Sequence, residues 1–142
     1  MQVVDKLLEK QCYIIDFLPR QVPEDCGGQF FEVENYFLSH AECYGLQDRF
    51  IRIILKIMCY YPVSAYWGEW VEQPTPEQIV EMIDAVIEKR SENLNVLFTG
   101  KEVLIQLGWD SLHISVYNTD EEMCKLLEQI AASEGMFWRK VE

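Results

Sequence analysis

The residue best placed to do chemistry in this chain of 142 residues is Cys26, set in Asp25-Cys26-Gly27-Gly28 just ahead of a segment that reads as a helix. A helix N-terminus lowers a thiol's pKa, because its unpaired N–H groups and its dipole stabilise the thiolate. Glycines beside the thiol would let a substrate carbonyl reach backbone donors, which is how an oxyanion site is built. His40 and His113, the two histidines of the chain, are the available bases. Together with Cys26 they define one reading, a thiol-dependent enzyme. Asp25 opposes it, since a neighbouring carboxylate raises a thiol's pKa. A surface loop with turn glycines and an incidental cysteine accounts for the same residues and is preferred. His40 and Cys43 have the offset of half a zinc site, but no second pair does, so no metal is expected. No cofactor is expected either, because the chain has no phosphate loop, dinucleotide fingerprint or nucleophile elbow. Glu121 and Glu122 have an ordinary explanation as acidic residues opposing a helix dipole.

Aromatic residues are more unusual. Tyr60, Tyr61, Tyr66, Trp67 and Trp70 crowd one short stretch, with Glu69 and Glu72 beside them. Read as a strand, Ser64 to Val71 points Tyr66 and Trp70 one way and Trp67 and Glu69 the other. One face would pack inward and the other would present aromatic surface, the residue type that dominates binding hot spots. Carboxylates next to it suit a basic partner or a cation held over the rings. Tyr66, Trp67, Trp70, Glu69 and Glu72 are therefore the candidate binding residues. The competing reading makes all three rings core filler. Arg49, Arg52 and Lys56 form a basic stripe whose expected role is to answer acidic neighbours within the protein.

Composition narrows the partners. Twelve basic residues against twenty-four acidic ones leave a net charge of −12. A field of that sign repels phosphate backbones and anionic lipid, so neither nucleic acid nor membrane is an expected partner. No stretch reaches the 18 or so apolar residues of a membrane helix, and MQVVDKLLEK is not a signal sequence. The five cysteines are odd in number and lack a close pair, which predicts free thiols and a cytoplasmic location.

The elements that must position these residues follow from periodicity. Cys12 to Leu18 reads as a strand, Gln29 to Ser39 as a helix with a Phe30, Val33, Phe37 stripe, and Leu46 to Tyr60 as a central helix. Thr75 and Gln78 form a capping box for a helix reaching about Lys89. Leu94 to Phe98, Val103 to Leu107 and Leu112 to Tyr117 are joined by short turns and predict an antiparallel meander. In the third strand Leu112, Ile114 and Val116 should face the core. Thr119 and Glu122 suggest a second capping box, with Gly135 ending that helix. The expectation is a single α+β domain over residues 1–142, with a mixed, mostly antiparallel sheet covered by two to four helices.

In size, acidity and α+β plan the chain is similar in general style to bacterial toxin-immunity proteins. That likeness implies a non-enzymatic module of the bacterial cytosol that binds a basic protein, or a second copy of itself.

Overall fold

A computed structural model of the chain describes residues 2–24, 28–40, 45–89, 92–108 and 113–141, except for the side chains of residues 2, 38 and 89. The class is α+β. Seven strands form one sheet, and five helices occur among the described residues, more than the two to four expected. In chain order these are α1 (Gln2–Leu7), β1 (Cys12–Asp16), α2 (Gln29–Ser39), α3 (Leu46–Met58), β2 (Val63–Tyr66), β3 (Trp70–Glu72), α4 (Pro76–Lys89), β4 (Leu94–Phe98), β5 (Leu104–Leu107), β6 (His113–Tyr117), α5 (Glu121–Ser133) and β7 (Phe137–Lys140). The strand order is β3-β2-β4-β5-β6-β1-β7, and every neighbouring pair is antiparallel rather than mixed.

Strand alternation divides the sheet into two faces. Val63, Ala65, Val96, Phe98, Ile105, Leu107, Ile114, Val116 and Ile15 lie on one face and are buried. The apolar stripes of α3, α4 and α5 pack onto it: Ile53, Ile54 and Ile57, then Ile79, Ile83 and Val86, then Met123, Leu127 and Ile130. Of the expected third-strand face, Ile114 and Val116 are buried as predicted, and Leu112 lies outside the described residues. On the opposite face α1 covers the part where Val4 and Leu7 pack on Leu104 with Leu97 and Tyr117 alongside.

Local signals explain the ends of the helices. Gln78 N–H donates to Thr75 Oγ1 at 3.1 Å while Thr75 N–H donates to Gln78 Oε1 at 2.8 Å, completing the expected capping box. The second box forms differently. Asp120, not Thr119, caps α5, accepting from Met123 N–H at 2.8 Å. Asp120 is extended there, so its short carboxylate reaches back over the first turn, while Thr119 Oγ1 sits 3.2 Å from Cys124 Sγ. At the other end Met136 N–H bonds Ala131 C=O and Gly135 N–H bonds Ala132 C=O, a Schellman closure that needs Gly135 at φ 73°.

Two expectations are revised. Ser64 to Val71 is not one strand but a hairpin, because Gly68 takes φ 84° and reverses the chain between β2 and β3. Helix α2 forms over Gln29–Ser39 as predicted, but of its expected stripe only Phe37 packs on the core, edge-on to Phe17. Val33 is exposed, as are Phe31 (62%) and Tyr36 (52%). Apolar residues run round most of this helix, and only one stripe of it can face a sheet.

Candidate functional site

The hairpin organises the candidate binding residues. Tyr66 and Trp70 are directly opposed across β2 and β3, and their ring centroids lie 5.0 Å apart at 58°. Both point to the side away from the main core, with Glu72 on the same side one pleat further on. Trp70 remains 38% exposed, Tyr66 is half-buried, and Glu69 and Glu72 are exposed. Trp67 takes the other face and packs against the core. With Glu69 and Val71 it forms one wall of a groove of about 440 Å³, whose other wall is Gln78, Glu81, Met82 and Ala85 of α4. The five expected residues thus occupy two adjoining surfaces, an aromatic pair on the outer face and an acidic-rimmed groove beneath.

The sequence marks this region by its charge. From Val63 to Glu88 the chain has Glu69, Glu72, Glu77, Glu81, Asp84 and Glu88 and no Lys, Arg or His. Glu77, Glu81, Asp84 and Glu88 recur at three- and four-residue offsets, so they share one face of α4. Asp84 is half-buried and accepts a hydrogen bond from Gln47 Nε2, whereas Glu77, Glu81 and Glu88 are exposed. The sequence that builds the hairpin and most of α4 is therefore locally acidic.

The thiol set is placed as follows. Cys26 and Cys43 lie outside the described residues. His40 closes α2, with Nδ1 3.0 Å from Tyr36 C=O and its ring stacked on Tyr36 at 4.3 Å. His113 opens β6, paired across from Asp16 of β1. The two histidines thus belong to separate elements. Of the described cysteines, burial pushes the Cys12 thiol up in pKa, partly offset by hydrogen bonding with Tyr117. That is the opposite of activation. Among the described residues no group of three or more His, Cys, Asp or Glu side chains converges to hold a metal ion.

Two charge clusters serve the fold. Asp16, only 7% exposed, accepts from Arg139 Nη2 at 2.7 Å and from Phe17 N–H at 2.8 Å. A lone carboxylate in the apolar run CYIID was the signal for such a pair. The basic stripe of α3 meets the C-terminal end of α5. Arg52 Nε and Lys56 Nζ each lie 2.7 Å from a Glu134 carboxylate oxygen, and Arg49 Nη1 donates to the Glu134 carbonyl. Burial would raise the Glu134 carboxyl, but hydrogen bonds and charge from Lys56 and Arg52 outweigh it and hold the group below its ordinary pKa. The stripe also supplies positive charge at a helix end that lacks its own.

The chain is similar to zinc transporter 6 of Mus musculus, Bos taurus and Homo sapiens, with 32% identity over 107 residues in each case. The aligned part is 71% of this chain and spans 23% of each transporter's length. No protein-family model matches the chain, and no solved structure matches it. Among the described residues no helix is long and apolar enough to cross a membrane.

Proposed function

We propose that the chain is a non-enzymatic, acidic protein-binding module of the cytosol that engages a basic protein partner through the β2–β3 hairpin. The observation that carries this reading is the Tyr66–Trp70 pair, partly exposed at the end of the sheet within a stretch of six carboxylates and no cation. An aromatic anchor beside exposed carboxylates has the chemistry to bury a ring and to pair with Lys or Arg. The surrounding field would speed encounter with a positively charged surface.

The test compares the wild-type chain with Trp70→Ala and Glu72→Lys as affinity baits in native extract. A basic protein retained by the wild type and lost with both variants is the expected result. Trp70→Ala should keep folding stability within about 1 kcal/mol of wild type, because an interface ring contributes little to the monomer. A loss of about 3–5 kcal/mol would mark Trp70 as core and remove the hairpin from consideration. Selective alkylation of Cys26 near pH of about 6, abolished by His40→Ala or His113→Ala, would instead assign a thiol-dependent enzyme.

A further inference from the structure

Among the described residues the hairpin ends the sheet, and β3 is its edge strand. Trp67 N–H donates to Glu69 C=O at 3.3 Å, and Gln73 N–H donates to Val63 C=O at 3.0 Å. In an antiparallel ladder hydrogen-bonded and non-hydrogen-bonded pairs alternate. Those two bonds therefore make Ala65–Val71 the bonded pair between them, and Tyr66–Trp70 and Ser64–Glu72 the non-bonded pairs. The N–H and C=O groups of Trp70 and Glu72 then point away from β2, toward the open edge. Among the described residues no strand lies beyond β3 and no backbone hydrogen bond reaches these groups. Such an edge is a template for another strand.

What flanks the edge selects the strand. On its core side lies the groove between β3 and α4, floored by Val71 and Met82 and rimmed by Glu69 and Glu81. On its outer side lie the exposed Trp70 ring and Glu72. We infer that β3 binds by strand addition, taking an extended segment of the partner in which apolar residues alternate with Lys or Arg. Its apolar side chains enter the groove. Its cationic side chains lie on the other face, beside Glu72 and the Trp70 ring. A second copy of this chain is the poorer occupant, because pairing β3 with β3 would set Glu69 and Glu72 of two molecules of charge −12 against each other. This inference rests on the basic-partner reading and adds the mode of recognition.

The probe is a blocked hexapeptide alternating valine and lysine, titrated by calorimetry into the whole chain. The controls are the same peptide N-methylated at every residue and a peptide with glutamate in place of lysine. The lysine peptide should bind and the glutamate peptide should not. N-methylation keeps every side chain and charge but removes the main-chain donors, and should weaken binding by about tenfold or more, a few lost hydrogen bonds' worth. In the protein, Glu72→Pro removes one outward N–H without touching the β2–β3 ladder. It should bind about 3- to 10-fold more weakly than Glu72→Gln, which removes only the charge. Equal binding of the N-methylated peptide, or no binding of the lysine peptide, overturns strand addition. If bait capture is still lost with Trp70→Ala in that case, the basic-partner reading stands without it. Self-association of the wild type that Glu72→Pro abolishes would give the edge to a second copy and overturn the inference.

Discussion

Glu134 shows how a single side chain joins two helices. Its carboxylate is 8% exposed and is held by Arg52 and Lys56, which remain half exposed to solvent. Exposure of the cations places the pair toward the modest end of ion-pair energies. Its pKa is lower in the folded chain than in the unfolded one. The stabilisation is therefore complete above the unfolded carboxyl value of about 4.3 and is lost as pH falls through the lower folded value. Glu134→Gln should cost about 1 kcal/mol in chemical denaturation at neutral pH. That difference from wild type should shrink below a pH of about 4. A constant difference across the acid range would mean that the charge is not what matters. Asp16 is the stricter case, because its neighbourhood is more buried. Asp16→Asn leaves the Arg139 guanidinium without its counter-charge and should cost about 2–4 kcal/mol, read from the urea midpoint.

At the scale of elements, caps and strand faces make separable predictions. Since Asp120 rather than Thr119 accepts from the first turn of α5, Asp120→Ala should destabilise by about 1 kcal/mol and Thr119→Ala by less than about 0.5. The reverse order would restore Thr119 as the cap. Ile114 of β6 is fully buried, and Ile114→Ala should cost about 2–5 kcal/mol. A loss below about 1 kcal/mol would mean that β6 presents its other face to the core, since a one-residue slip exchanges the faces. Most elements were legible in the sequence, because periodicity, capping residues and turn glycines act over a few positions. The hairpin was not. Trp67-Gly68-Glu69 lacks the Asn-Gly or Asp-Gly signature of a tight reversal, and only Gly68 hinted that the chain turns there.

For the molecule as a whole, the sign of the charge matters less than its distribution. Arg49, Arg52 and Lys56 are engaged with the end of α5, whereas every charged residue from Val63 to Glu88 is a carboxylate. A basic partner should therefore be steered to the hairpin end. Its association rate should fall by about tenfold or more between low and high salt, with dissociation much less affected. Stopped-flow mixing at several salt concentrations checks this. A salt-independent association rate would leave the apolar contacts as the only driving force and the carboxylates as solvated surface.

The sequence by itself determined the α+β class, the meander of β4, β5 and β6, the capping box at Thr75 and the closure at Gly135. Each follows from alternation, helical spacing or a backbone angle that neighbouring residues decide. It also marked Tyr66, Trp67, Trp70, Glu69 and Glu72 as a group, since composition is local. Only the tertiary structure decided how that group divides, with Tyr66 and Trp70 on one face and Trp67 against the core. It alone decided that β3 ends the sheet, because the strand order depends on which distant segments pair. The same holds for the charges. Arg52 and Glu134 are 82 positions apart, and Asp16 and Arg139 are 123 apart. No local rule links residues at such separations. They meet because burying the two faces of one sheet leaves the chain few ways to return, and the polar groups carried along must find partners where they arrive.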